Sequence, residues 1–285
     1  MKNNNEINEV YFNQIDVEAR LGFKAAKYPD VKLLPSIVLA MLVLGIFYCI
    51  IKFLIPDTLI SKMFLQRTSI IIPFLILLLS SICCSIIFFK YLKLCAQKKA
   101  FKLKIFPSDP DFVLAEGNAK DFLHYLLQRT DNVDNFVLFC RVSRALASLN
   151  NIGRISDAVS MLESQAQTDE DELQSSYTLI AGFIWGIPVL GFIGTVLGLS
   201  QSIGGFGSVL SSAGGIEELT NSLTVVTGGL STAFETTLEG LVCALCIQLL
   251  VVTLRKKEEQ FLDQCKEYCH KNIISRLRTI DRSAN

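Results

Sequence analysis

GIPVLGFIGTVLGLS, Gly186 to Ser200, and GGLSTAFETTLEGLV, Gly228 to Val242, place glycines and hydroxyls where a plain lipid anchor would carry leucine. They lie in two apolar spans joined by a Gly-rich stretch. Between Leu173 and Leu254 the chain has four carboxylates, Glu217, Glu218, Glu235 and Glu239, and no Lys or Arg. An apolar hairpin that holds acids without a base of its own reads as built for cations.

The surrounding composition agrees. Hydrophobic residues make up 51% of the 285, and the formal net charge is zero. That balance argues for an integral membrane protein in contact with lipid, and gives no basic excess for nucleic acid. Four stretches reach the roughly 20 apolar residues that cross a bilayer core: residues 33–55, 69–91, 177–203 and 222–254. Residues 1–32 lack the cationic start and short apolar core of a signal peptide, so the first span is expected to be retained. Lys90, Lys93, Lys98, Lys99, Lys102 and Lys104 crowd the exit of span two, and Arg255, Lys256 and Lys257 crowd the exit of span four. The positive-inside rule then predicts that both termini are cytoplasmic. Residues 56–68 and 204–221 become external loops, the latter a flexible one, and residues 92–176 and 255–285 lie inside the cell.

The insertion 92–176 reads as short amphipathic helices, because AKDFLHYLLQRT, DNFVLFCRVSRALASLNN and ISDAVSMLESQAQ carry apolar residues three and four apart. In the tail, Phe261, Leu262, Cys265, Tyr268, Cys269, Ile273, Leu277 and Ile280 form a stripe suited to a neighbouring helix. The fold class is therefore all-α: four transmembrane helices, a cytoplasmic helical insertion between spans two and three, and a cytoplasmic helical tail.

No enzyme signature occurs: there is no phosphate loop, HExxH helix or GxSxG elbow. No cofactor and no metal are expected. Cys243 and Cys246 read as small core residues, and Cys265, Cys269 and His270 lack a fourth zinc ligand. His124 is expected on a solvated helix.

Pro188 lies within span three. It removes one helix hydrogen bond and crowds the carbonyl of Ile184, so a bend is expected, for packing or for function. Gly191, Gly194 and Gly198 clear one side of that helix for close contact, and Thr195 lies beside the seam. On span four, steps of about 100° put Leu230, Ala233, Phe234, Leu241 and Ala244 on the side of Thr237, with Glu235 and Glu239 nearly opposite. A mostly apolar wall with one hydroxyl level suits a narrow passage; equally, both threonines can bond their own helix backbone. Glu235 and Glu239 share one face deep in the span, where an unpaired carboxylate costs several kcal/mol. At least one is expected to be neutral or engaged with another span, in a structural role. The Gly seam and the amphipathic tail each call for a neighbour, which predicts a homo-oligomer.

GIPVLGFIGTVLGL and STAFETTLEGLV together resemble the MotA/TolQ/ExbB proton channel family, over about residues 177–254. The resemblance implies a homopentamer around a central dimer of a single-span MotB/TolR/ExbD-like partner whose membrane aspartate binds the transported H⁺ or Na⁺. It further implies that Thr195 and Thr237 line the ion path and that Pro188 is the family's structural proline. Four spans with a large insertion resemble MotA, whereas the Gly-Thr motif of span three is closer to TolQ and ExbB. Glu235 and Glu239 stand where many relatives carry uncharged residues. The expected function is an ion-driven stator subunit of a membrane motor. A non-conducting membrane scaffold is the alternative, and a solute carrier fits poorly because four spans without a repeated half offer no alternating-access core.

Overall fold

The computed structural model of the chain describes residues 28–54, 71–103, 105–107, 113–114, 116–152, 155–211 and 216–277. These form helices α1 (Leu33–Leu54), α2 (Ile71–Lys98), α3 (Glu116–Arg129), α4 (Val137–Ile152), α5 (Ile155–Ser176), α6 (Thr178–Ser211) and α7 (Ile216–Asn272), with short 3-10 turns at Lys99–Lys102, Val133–Asn135 and Ile274–Arg276. No strand occurs among the described residues; Leu114 and Leu277 pair through an isolated parallel bridge. Helices α1, α2, α6 and α7 are long and apolar enough to cross a membrane, and the chain is a multi-pass, all-α membrane protein.

Two compact units result. One joins Leu33–Ile87 with Thr178–Val252; the other joins Phe88–Tyr177 with the chain from Thr253 and the described residues up to Lys32.

In the first unit, each helix turns one narrow stripe inward. Helix α1 buries Ser36, Ala40, Leu44 and Ile51, and the Ser81 hydroxyl of α2 donates to the Ala40 carbonyl at 2.9 Å. Small residues at this contact let the backbones approach. Helix α7 buries Gly229, Ala233, Thr236, Gly240, Ala244, Ile247 and Val251 at steps of three and four residues, the period of one helix face. The outward faces are apolar as well: Leu34, Phe53, Trp185, Phe192, Ile203 and Phe234 are 65% to 77% exposed. So much contiguous apolar surface is untenable in water and ordinary in hydrocarbon.

The second unit has a conventional aqueous-type core. Helix α4 buries Leu138, Phe139, Val142, Ala145 and Leu146, with α3 and α5 packed on it. Buried Gln97 clamps its start, donating to the Asn135 carbonyl at 2.6 Å and accepting from the Val137 amide at 3.1 Å. That amide belongs to the first helical turn and has no partner within the helix. Phe261 of α7 meets the rings of Tyr28 and Phe101 edge-on, each at 5.8 Å. Arg141 and Asp169 form a buried ion pair at 2.6 Å.

Several expectations need correction. The Gly-rich stretch 204–221, read as a flexible loop, is helical to Ser211 and again from Ile216. Glycine's weak helix propensity is overcome by packing: a Cβ on Gly205 would lie 3.1 Å from Val225. Helix α2 extends to Lys98, and α7 runs unbroken from Ile216 to Asn272, carrying the expected tail helix on from span four. The tail stripe needs no second subunit, because Phe261, Leu262, Cys265, Cys269 and Ile273 are buried within the chain itself. The Gly191, Gly194 and Gly198 seam is likewise filled from within, by α7. Neither feature therefore argues for a homo-oligomer. Cys243 is half-buried and Cys246 exposed, since three residues turn a helix about 300° and carry one thiol off the packed face. Loop 56–68, most of segment 1–32 and Ile280 lie outside the described residues.

Candidate functional site

Thr195 and Thr237 meet at the seam of α6 and α7, where the glycines let the two backbones touch. A Cβ on Gly191 would lie 3.0 Å from the Thr236 carbonyl oxygen. One on Gly198 would lie 2.5 Å from the Gly229 carbonyl oxygen and 2.9 Å from the Ala233 nitrogen. Gly194 faces the Thr236 side chain, with the Thr236 Cβ 2.7 Å from where its own would be. The contact continues beside Pro188, where a Cβ on Gly240 would sit 3.1 Å from the Ile187 carbonyl oxygen. Helix α6 is unbroken through Pro188.

With the backbones this close, the two hydroxyls hydrogen-bond to each other directly. Thr195 Oγ1 also lies 3.2 Å from the Gly191 carbonyl and 3.3 Å from that of Ala233. Thr237 Oγ1 lies 3.2 Å from each of the same two carbonyls. A hydroxyl has one proton to donate. The pair therefore holds two protons for more acceptor positions than it can serve, and the donor order can run in either direction. Both side chains are half-buried. On the Thr237 side, Ala233 and Ala244 are buried against neighbours, while Leu230, Phe234 and Leu241 remain open. The expected apolar wall is thus split along the edge of the seam.

Glu235 and Glu239 lie off that seam. Glu235 is half-buried and accepts from the Ser231 hydroxyl at 2.7 Å. Glu239 is buried and within electrostatic reach of Tyr48 on α1.

Sequence reasoning missed two kinds of residue. Thr236 and Ser202 are buried hydroxyls that complete the α6–α7 contact; Ser202 Oγ reaches the Gly198 carbonyl at 3.0 Å and that of Val226 at 2.9 Å. Both carry a signal, lying on the same spacing as the glycines. The second omission is a buried charge cluster in the other unit. Lys90 and Glu258 are 1% and 0% exposed, with Nζ 3.7 Å from Oε1. Lys90 Nζ donates to the Ser176 hydroxyl at 2.8 Å and the Pro29 carbonyl at 3.1 Å, and stands 4.3 Å from the Tyr177 ring centroid. The Tyr177 hydroxyl donates to the Glu258 carboxylate. Lys93 is also buried, donating to the Asp30 carbonyl at 2.7 Å. Lys90 and Lys93 read in sequence only as positive-inside markers; the fold has buried both. Glu258 was detectable, for it extends the buried stripe of α7 through Leu254, Glu258, Phe261 and Cys265 at steps of four, three and four.

Burial is the largest influence on Glu258 and raises its carboxyl above the ordinary 4.5, while Lys90, Tyr177 and Tyr28 pull the other way. Burial first, and Glu258 second, hold the Tyr28 hydroxyl well above its usual range. A carboxyl raised on folding contributes stability that is fully present below the unfolded value and is lost as pH rises through the folded one. The stability difference between the native chain and Glu258→Gln is accordingly expected to move against the native chain as pH is raised from 4.5. Denaturant midpoints in micelles measure this, and the opposite slope would refute the dominance of burial. Elsewhere in this unit, burial pushes the Cys265 thiol up and that of Cys269 to about 12.

Residues 142–267 match the model of the MotA/TolQ/ExbB proton channel family. The match contains α5, α6, both threonines, both membrane acids and Glu258. No curated protein and no solved structure matches the chain.

Proposed function

We propose, from the match of residues 142–267 to the MotA/TolQ/ExbB proton channel family model, that the protein is the ion-conducting stator subunit of a bacterial inner-membrane motor. In this reading five copies surround a dimer of a single-span MotB/TolR/ExbD-like partner, both termini are cytoplasmic, and H⁺ or Na⁺ flow is converted into rotation or a mechanical pull. A membrane potential supplies about 2.3 kcal/mol per charge per 100 mV, enough to bias protonation and helix contacts without covalent chemistry.

The observation that carries the reading is the Thr195–Thr237 hydroxyl pair, half-buried at the edge of the α6–α7 seam. Each hydroxyl both donates and accepts, so a partner carboxylate or a hydrated ion arriving at that level replaces one hydroxyl as the other's partner. Reversal of the donor order passes the interaction from one helix to the next. The surplus carbonyls of Gly191 and Ala233 keep the displaced hydroxyl satisfied, which lowers the cost of exchange.

The experiment is Thr195→Val with Thr237→Val, which keeps shape and removes both hydroxyls. A hydrogen bond to a charged group contributes about 1.5–3 kcal/mol, so ion flux into vesicles containing the full complex should fall about 10- to 100-fold. Partner pull-down should remain intact. Normal flux in the double variant would refute the assigned path. The alternative, a non-conducting scaffold, draws on the engagement of both hydroxyls with helix carbonyls; it is favoured if the double variant loses assembly and the native complex carries no flux.

A further inference from the structure

Tyr28, Pro29 and Asp30 cross the second unit as a short strap. Two lysines one turn apart on α2 hold its backbone: Lys90 Nζ donates to the Pro29 carbonyl at 3.1 Å and Lys93 Nζ to the Asp30 carbonyl at 2.7 Å. A third fastening is the buried Tyr28 ring, which meets the Phe261 ring of α7 edge-on at 5.8 Å. Lys90 is shared, for the ammonium that holds Pro29 is also paired with Glu258 at 3.7 Å and bonded to the Ser176 hydroxyl at 2.8 Å. Strap and ion pair are therefore joined through one nitrogen. Their closure is incomplete. The Tyr28 hydroxyl and Glu258 Oε1 are sealed from solvent, and neither finds a hydrogen-bond partner among the described residues. A buried polar atom without a hydrogen bond carries a desolvation cost that contact with water removes.

We propose that Tyr28, Pro29 and Asp30 form a releasable latch, which opens locally while the rest of the unit stays folded and so admits water to the Lys90–Glu258 pair. Closure is favoured by burial of the Tyr28 ring and by two hydrogen bonds from ammonium groups. It is opposed by the two orphaned oxygens and by the conformational entropy of ordering the strap. Opening uncovers one aromatic side chain and two backbone carbonyls rather than a core, since the Asp30 side chain is already exposed; such small openings lie at the low-energy end of a protein's motions. With the latch closed, the ion pair is dry and its attraction little screened. With the latch open, the same pair is hydrated and joins α2 to α7 more weakly. The strap thereby sets the strength of that link within the unit. A pull on the chain before Tyr28 reaches the ion pair through the Pro29 carbonyl.

The test uses the full chain in micelles and needs neither a partner nor ion flow, so its outcome is independent of the stator reading. A water-soluble N-hydroxysuccinimide ester acetylates accessible lysines, and peptide mass spectrometry reads Lys90 and Lys93 against exposed Lys98 on the same helix. Lys90 and Lys93 should react slowly but together, at a rate that low denaturant leaves unchanged, because the opening exposes little surface. Tyr28→Ala removes the ring from Phe261 and should raise both rates about tenfold or more, the response to truncating a buried aromatic side chain. Tyr28→Phe keeps the ring and removes the orphaned hydroxyl, so both rates should fall. Acetylation that rises with denaturant in step with amide exchange of the α4 core would mean that the strap leaves only when the unit unfolds, and overturns the latch. Rates that stay at the native value in both variants overturn it as well. If Tyr28→Ala fails to fold, the denaturant dependence of the native chain and the Tyr28→Phe rates decide alone.

Discussion

Gly198→Val is expected to destabilise the protein by about 3 kcal/mol or more, the upper range for overpacking a close contact. The new side chain would begin 2.5 Å from the Gly229 carbonyl oxygen and 2.9 Å from the Ala233 nitrogen. Both are backbone atoms, so no rotamer change relieves the clash and α6 must move off α7. That movement also separates Thr195 from Thr237, so flux and stability should fail together. Gly182→Val is the control, because nothing lies within 4 Å of its Cβ position; its effect should be within about 0.5 kcal/mol. Denaturant titration in micelles with a spin-label distance between α6 and α7 measures both. Equal stability of the two variants would mean that the seam is not close-packed in the membrane.

Lys90→Met should cost about 3–5 kcal/mol, the usual penalty for removing one partner of a buried ion pair. The methionine fills the space but leaves the Glu258 carboxylate, at 0% exposure, without its cation. Adding Glu258→Gln should restore most of the loss, since glutamine removes the buried charge and can still accept from Tyr177. The single Glu258→Gln change should be milder than Lys90→Met, because Lys90 retains Ser176, the Pro29 carbonyl and the Tyr177 ring. A double-mutant cycle reads the coupling directly. Additive losses would show that Lys90 and Glu258 contribute separately and that their ion pair adds nothing.

Pattern in the sequence determined a large part of this protein. Runs of apolar residues long enough to span hydrocarbon specified α1, α2, α6 and α7, because in lipid an unpaired backbone must close its hydrogen bonds locally. The spacing of Gly191, Gly194 and Gly198 announced a close helix contact, since the absence of a side chain is as legible as its presence. Thr195 and Thr237 were legible individually, by motif, but their meeting was not: it depends on the relative height and rotation of two helices, which α6 and α7 settle by pressing Gly198 against Gly229.

Tertiary structure alone decided where charges and stripes found partners. The charge run marks Lys90 and Lys93 as orientation signals, yet their burial is a property of neighbours distant in sequence, here Pro29, Ser176 and Glu258 for Lys90 and Asp30 for Lys93. The tail stripe and the Gly seam announced that something must cover them without saying whether it came from the same chain, because hydrophobic burial is non-directional and satisfied equally by either source. Helix in the Gly-rich stretch before Ser211 followed the same logic, with contact against Val225 outweighing intrinsic propensity. Glu239 shows the division most plainly. Its place on the helix face opposite Thr237 follows from helix geometry, while its burial, within electrostatic reach of Tyr48 on α1, follows from packing among segments that share no local pattern.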